Sequence, residues 1–419
     1  MTTEDLKIYI VGAGVSGLVA AKVLEDYGFF PYIIEATDRP GGRVKTDIVN
    51  GYQLDHGFQV MLTEYPAAQK YLDFDALELQ EFKSGAAIFI NGKQKIIGDP
   101  LRDLSVLFST MFSGIGNLSD KFKILRLTNR LNKKSLEEIF KTKEITTKEY
   151  LVNFGFSSQM IISFFQPFFT GIFLETDLET SSRMFEFVFK MFGGGLAVLP
   201  KGGIEEIPKQ LTNNLKRTNF LFNTKVTSIS NQEIKLSTGE KLTSDAIIIA
   251  TDANKLIKNL KGQYLEWKSC QTLYFITKSR KIAKPFIGLV ANKDSLINNI
   301  FYHTSIETKN TSEAELLSVT VVKEHHLSEK ELIEKVSAEL KTECNIEDLK
   351  FLKFYNIPKA LPNLNNLQYE VSPSETQLTD SVFLAGDIQL NGSLNAAMIS
   401  GEKAALGVLE NLKKIGVIV

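Results

Sequence analysis

Gly12-Ala13-Gly14-Val15-Ser16-Gly17, near the start of a 419-residue chain, places three glycines where a backbone can come up against a phosphate. Gly12 permits a tight turn, and Gly14 lacks the Cβ that would hold a pyrophosphate away. Gly17 lets a following helix pack closely on a preceding strand. Val15 and Ser16 open that helix, whose unpaired N–H groups and positive dipole end suit an anion. About twenty residues further on, Glu35, with Ala36 beside it, can accept from the hydroxyls of an adenosine ribose. A carboxylate there repels a 2′-phosphate, which argues against NADP and leaves NAD or FAD. Asp38-Arg39-Pro40-Gly41-Gly42-Arg43 follows directly. Its paired glycines permit a bend against a cofactor, and Arg43 can pair with phosphate oxygens.

Two further stretches carry chemistry. Leu54-Asp55-His56-Gly57-Phe58-Gln59-Val60 holds the one histidine near a candidate cofactor motif. His56 is therefore the natural acid–base candidate; the competing reading is a histidine that bonds backbone and holds a loop. Near the other end, 382–387 reads as a buried strand ending in Gly386-Asp387. Gly392-Ser393-Leu394-Asn395-Ala396-Ala397 then begins a helix that runs through Gly401, Ala404 and Ala405.

Glu35 followed by Gly41-Gly42-Arg43 resembles the flavoprotein superfamily of amine oxidases, protoporphyrinogen oxidases, and phytoene and squalene desaturases. The resemblance implies FAD, with Arg43 near the pyrophosphate and the 55–59 segment running past the isoalloxazine ring beside Gly57, Phe58 and Gln59. It also implies that Val226 sets its backbone against the adenine and that Ala250 ends a strand of the FAD domain. Asp387 then accepts from the ribityl hydroxyls or lies by the pyrophosphate. The helix entered through Ser393, Leu394, Asn395 and Ala397 aims N–H groups at the flavin N1–C2=O edge, where reduction places negative charge. Ala197-Val198-Leu199-Pro200-Lys201-Gly202-Gly203 resembles the Leu-Pro-x-Gly-Gly segment of carotenoid desaturases and protoporphyrinogen oxidases, which returns the chain to the FAD domain. Ile357-Pro358-Lys359-Ala360-Leu361-Pro362 resembles the Ile-Pro-x-Ala-x-Pro stretch of the desaturases; Lys359 either serves the site or faces solvent, and solvent is the favoured reading. The desaturase branch carries Gly-Asp where amine oxidases usually carry Gly-Glu, so the pattern is nearest that branch.

These residues need elements to hold them. Residues 7–11 and 31–34 read as buried strands, with Leu18, Ala21, Leu24 and Tyr27 at helical spacing between them and Gly28 as a stop. Residues 65–80 read as helix, Asn91-Gly92 as a hairpin turn between 86–90 and 95–97, and 100–140 and 144–192 as helices. Strands at 272–277, 286–290, 300–303, 316–322 and 351–357, with one helix near 328–341, suggest an antiparallel sheet capped by helices. The expected class is α/β: a Rossmann-type FAD-binding domain of the two-dinucleotide-binding-domain flavoprotein kind, with a discontinuous α+β substrate domain. The FAD domain takes 1–85, 195–260 and 370–419; the substrate domain takes 86–194 (helical) and 261–369 (antiparallel sheet).

The net charge of −1 gives no reason to expect nucleic acid as a partner. Cys270 and Cys344 fit neither a disulfide framework nor a metal site, and His56, His303, His325 and His326 show no ligand spacing, so no metal is expected. Residues 1–6 lack the pattern of a signal peptide, and a cytoplasmic protein is expected. An apolar stretch from 104 to 115, followed by a basic amphipathic stretch to 134, gives a candidate peripheral membrane contact; the competing reading is helices with a solvated basic face. Twenty-nine phenylalanines against one tryptophan, many between Phe154 and Phe192, suit the wall of a cavity for a large apolar substrate. The expected function is FAD-dependent dehydrogenation (desaturation or oxidation) of a bulky apolar carotenoid, isoprenoid or other lipid by hydride transfer to flavin N5, with O2 or a quinone as acceptor. The alternatives are redox-neutral isomerisation of a polyene by reduced FAD, amine or porphyrinogen oxidation, and a flavin-bearing carrier without turnover.

Overall fold

Ile8–Val11 is buried at every position and forms the centre of a five-stranded parallel sheet. The neighbours run, in order, Asn219–Leu221, Tyr32–Ile34, Ile8–Val11, Ala246–Ile249 and Val382–Leu384. The computed structural model describes residues 4–98, 114–258, 260 and 265–417. The sequence accounts for this sheet directly. Its strands are near-continuous apolar runs, as expected of a sheet buried on both faces; helices cover one, and the three-stranded sheet of Val226–Ser230, Glu233–Leu236 and Lys241–Thr243 covers the other. Val11 lies opposite both Ile34 and Ile249, and Ile249 opposite Leu384. In-register pairing of this kind brings the carboxyl ends of four strands to one edge. Gly12, Glu35, Ala250 and Ala385-Gly386 all leave the sheet there, where chain order reverses on either side of the first strand. Open parallel sheets bind ligands at such switch points.

Two helices lock that edge. Val15–Asp26 buries Leu18, Ala21 and Leu24, as their spacing requires. Tyr27 departs from the expected pattern: it caps the helix and is 60% exposed, because Gly28, at φ +84°, has already turned the chain away. A Cβ on Gly17 would lie 2.1 Å from the carbonyl oxygen of Gly12, so only glycine lets this helix sit on its strand. The last helix, Leu394–Lys414, packs against the first. A Cβ on Gly401 would lie 2.1 Å from the Ser16 carbonyl oxygen.

The second layer is a seven-stranded sheet in the order Lys350–Asn363, Glu266–Thr277, Glu315–Val321, Ile297–Tyr302, Ile287–Val290, Gly85–Ile90 and Lys93–Gly98. Its outer face, including Leu273, Phe275, Val319 and Val321, packs under the helix Glu329–Cys344. The expected antiparallel sheet is in fact mixed. Gly85–Ile90, from the segment read as the helical part, adds to it parallel to Ile287–Val290. The hairpin at Asn91-Gly92 holds, with φ of 49° and 73° at the two turn residues. The helix expected over 65–80 is shorter, Pro66–Tyr71, and Leu79–Glu81 is a strand paired with Ala197–Pro200. That strand joins the two layers. Residues 99–113, and with them part of the candidate membrane stretch 104–134, lie outside the described residues.

The helices that follow keep the local signals. Thr146 caps Thr147–Phe154 with Glu149 in a capping box. Phe165, Phe169, Phe173, Phe185 and Phe187 are fully buried and pack ring against ring, so these are core. Both cysteines are buried and unbonded to each other. Among the described residues no helix is long and apolar enough to cross a membrane, and no group of His, Cys, Asp and Glu could hold a metal ion.

The contact between the first and last helices predicts the behaviour of Gly401→Ala. The added methyl cannot fit against Ser16 without separating the helices. Overpacking of this kind is expected to cost about 1–3 kcal/mol or more, seen as a lower thermal midpoint. A midpoint equal to that of the parent would contradict the close approach.

Candidate active site

The glycine loop and the Glu35 strand are joined by hydrogen bonds. Glu35 is buried, and its Oε2 accepts from Ala13 N at 2.8 Å while its Oε1 accepts from Thr37 N and Thr37 Oγ1. The carboxylate thus braces the turn as well as facing the strand edge. Gly41 N donates to Ala13 O at 2.9 Å, and a Cβ on Gly42 would come within 3.3 Å of the Gly14 Cα. The two glycine segments therefore lie face to face. Gly12, at φ +109°, has Ala250 O 2.9 Å from where its Cβ would be.

The far end of the chain meets this loop. The Arg43 guanidinium pairs with the Asp387 carboxylate across 344 residues and also donates to Ala360 O at 3.3 Å. Gly386, at φ +127°, donates through its N–H to Ser400 Oγ at 2.9 Å, tying the last strand to the last helix. Ser393 caps that helix by accepting from Ala396 N at 3.0 Å. Leu394 and Asn395 form its first turn, with Ala397 N bonded to Ser393 O. Val226 belongs to the three-stranded sheet and shares a buried cluster with Val11 and Ile34, and nearby Thr224 N donates to Glu35 O at 2.9 Å. Ala36 is exposed beside it.

The 55–59 loop sits between the layers. Phe58 packs on Phe301 and on the imidazole of His303 in the seven-stranded sheet, and Gln59 Nε2 donates to Arg43 O and His56 O. His56 Nε2 is 2.8 Å from Asp47 Oδ2, and its ring lies 4.6 Å from that of Tyr355. Tyr355 OH donates to the same Asp47 oxygen at 2.9 Å. Burial works against ionising Asp47, but the hydrogen bonds from His56 and Tyr355, the His56 charge and the bond from Arg39 hold its carboxyl below the usual range. Beneath the loop, Asp55 is fully enclosed. Its Oδ1 accepts from Thr46 Oγ1 and Ile204 N, and desolvation, with Glu205 nearby, pushes it up to about 6. Glu205 accepts from Arg39 Nε and Thr46 N.

Several of these residues escape a motif-based reading. Arg39, Thr46, Asp47, Glu205 and Tyr355 form one network, although they are scattered over more than 300 residues. The signal lay in Arg39, a cation inside the 38–43 segment without an assigned partner. Lys359 corrects another expectation. Its Nζ pairs with Asp252 at 2.8 Å and lies 5.2 Å from the centroid of the Trp267 ring, which Arg43 also approaches at 5.2 Å. It is half-buried against the strand-end loop because the indole and the carboxylate together offer more than water does.

A parallel sheet whose carboxyl edge presents glycine turns braced by a buried acid, with a second sheet across the gap, defines a dinucleotide-binding flavoprotein fold. Comparison with known proteins gives the family: residues 15–409 match the flavin-containing amine oxidoreductases, and the chain belongs to that family. An L-amino-acid oxidase of Bothrops moojeni is 26% identical over 271 residues, 60% of this chain and 53% of the relative. The chain thus spans about half the length of the curated relatives it matches. A structure assigned as a protoporphyrinogen oxidase from Exiguobacterium sp. 255-15 aligns over 98% of this chain and 99% of its own, with a TM-score of 0.72 at 18% identity. Cyclohexylamine oxidase from Brevibacterium oxydans IH-35A aligns over 97% and 99%, with 0.69 at 16% identity. At these identities the likeness establishes the fold.

Family membership makes the cofactor a flavin, and the residues present fit FAD. Among the described residues no atom lies within 4 Å of where a Gly14 Cβ would stand, so the loop is open on that side. Among the same residues the Asn395 Nδ2, buried at the start of the last helix, has no hydrogen-bond partner while its Oδ1 accepts from Ala67 N. Gly14 is extended, at φ −70° and ψ 173°, which any residue can adopt. Gly14→Ala is therefore expected to fold as the parent does yet bind FAD about tenfold or more weakly, because its methyl fills the space a pyrophosphate needs. Equal flavin content after purification would count against this site.

Asp55 supplies a pH test. Its folded pKa, about 6, stands above the unfolded value, so its contribution is full below about pH 4 and is lost as pH rises through about 6. Asp55→Asn keeps an acceptor for Thr46 and removes the charge. The variant should show a flatter fall in urea midpoint between about pH 4 and about pH 7. Parallel profiles for parent and variant would exclude Asp55 as the source.

Proposed function

We propose that the chain is an FAD-dependent oxidoreductase that dehydrogenates a bulky, uncharged, apolar substrate such as a carotenoid, isoprenoid or other lipid, with O2 or a quinone as the acceptor. The observation that carries this is the pair of walls facing the strand Ile297–Tyr302. On one side Phe58 lies against Phe301. On the other, the helix Gln166–Phe173 is fixed by Asn298 Nδ2 donating to Pro167 O at 3.1 Å, with Gly171 close against Asn299. This helix leaves Phe168 and Ile172 partly open, as is Phe164 in the segment just before it, with Phe168 edge-on to Phe192. The sheet face between carries Thr272, Thr320 and Asn299 in one row, uncharged and buried. His303 adds no charge near neutral pH, since burial lowers its pKa to about 4. Ionised groups are thus missing from the named walls, which suits a neutral hydrocarbon better than a cation.

FAD supplies a two-electron acceptor at flavin N5. The chain's own residues position and enclose. The helix beginning at Leu394 offers its positive end to charge developing on reduction. We assign His56 to positioning. Its Nε2 is held by Asp47 and its ring by Tyr355, so it supports Gly57-Phe58 and is engaged away from a substrate carbon.

Oxidation of an amine is the second reading, favoured by the names of the relatives, an L-amino-acid oxidase and a cyclohexylamine oxidase. Anaerobic mixing of the flavin-loaded protein separates the two. A detergent-solubilised polyene or isoprenoid should bleach the flavin rapidly, and cyclohexylamine or an L-amino acid should not; the reverse order overturns the proposal. Matched consumption of acceptor and substrate excludes redox-neutral isomerisation. His56→Ala should keep the bleaching rate within about threefold while weakening FAD retention, with His56→Gln restoring retention. A loss of about a hundredfold or more in rate at full flavin content would instead make His56 an acid–base residue.

A further inference from the structure

We infer that the outward stripe of the helix Leu118–Asn132 is a docking face for an anionic lipid bilayer. This helix buries Asp120, Leu127 and Leu131 against the rest of the protein. At 100° per residue, the opposite line carries Leu118, Phe122 and Leu125. They are 63%, 71% and 46% exposed. A helix on a solvated surface normally turns polar residues outward, so apolar residues at i, i+4 and i+7 on the outer line are unexpected. Cations border the stripe on both sides: Lys121 on one, Arg126 and Lys133 on the other. Arg126 and Lys133 are exposed.

From 117 to 134 the exposed charge has one sign, and Arg130 and Lys134 reach the buried Glu186. Asp120 is the only acid from 117 to 134, and it is buried and fully engaged. It accepts from Asn117 N in the capping box and from Ser157 N and Oγ. The chain as a whole carries −1, so the positive charge is a local concentration. Neighbouring elements extend the apolar surface. Lys123 Nζ donates to Gly155 O, and the Arg126 guanidinium lies 5.7 Å from the Phe154 ring. These contacts hold the 154–157 turn alongside the helix, between Val152 and Ile162, which are 57% and 53% exposed.

Among occupants, a bilayer with anionic headgroups matches both features. Its phosphates meet the flanking cations, and the boundary of its acyl region takes up Leu118, Phe122 and Leu125. A second copy packed on the stripe by a two-fold axis brings like-charged borders together, and a free phosphate leaves the phenylalanine in water. The inference stands apart from the proposed substrate, since it rests on the outer surface alone.

The test is sedimentation of the full, flavin-loaded chain with vesicles of phosphatidylcholine containing about a third phosphatidylglycerol, against phosphatidylcholine alone. Binding is expected to the anionic vesicles and to fall as salt is raised. Phe122→Asp is expected to reduce partitioning at least about tenfold, with flavin content and thermal midpoint unchanged. Lys121→Glu with Arg126→Glu should do the same while leaving the apolar stripe intact. No binding, equal binding to neutral vesicles, a Phe122→Asp variant that binds as the parent does, or a dimer that this variant dissolves, each overturns the inference.

Discussion

The approach of the last helix to the first is the constraint on which the rest depends. Gly401 and Ser16 are in backbone contact, and Arg43 and Asp387 are paired one layer above. Neither end of the chain makes a cofactor site alone. The first glycine loop supplies a turn and a helix terminus, braced by Glu35; the last strand and helix supply a second terminus and a carboxylate. Only the missing side chain at position 401 lets the two helices come close enough for these to share an edge. Sequence-distant glycines therefore act as one feature, each removing a methyl that would push the halves apart.

What could be read beforehand divides along physical lines. Runs such as 246–249 and 382–384 are buried on both faces, so their composition alone marks them as parallel strands, and the glycines mark the turns between them. The Asn91-Gly92 turn was legible for the same reason, because two adjacent residues settle it. The partners of Arg39, Asp47 and Glu205 were not, since ion pairs between remote residues leave no local periodicity. Lys359 was misplaced because a lysine beside prolines reads as solvated; its indole and carboxylate neighbours lie 92 and 107 residues away. The mixed sheet was missed for a similar reason. A hairpin signals its own two strands and says nothing about which third strand it will join.

The layer facing the cofactor edge shows how one sheet can serve two ends. Its outer face is a conventional core under Glu329–Cys344. Its inner face alternates large aromatic residues with a row of uncharged polar ones, Thr272, Thr320 and Asn299. Among the described residues Thr272 Oγ1 is buried without a partner, so this row retains hydrogen-bonding capacity that they leave unused. The Asp47–His56–Tyr355 cluster sits at the border between this face and the Rossmann sheet. It couples the flavin-side loop to the substrate-side sheet through charge-assisted bonds, which are short-ranged and directional.

The edge strand Val382–Leu384 joins Ala246–Ile249 across more than 130 residues of intervening chain. During synthesis the ribosome releases the glycine loop first and withholds its counterpart until residues 382–405 have emerged. A nascent chain therefore carries a half-built nucleotide cradle through most of translation, and the pigment can be captured in its mature setting only afterwards. Any interruption upstream of residue 382 yields a polypeptide with the recognisable fingerprint and no means to close it.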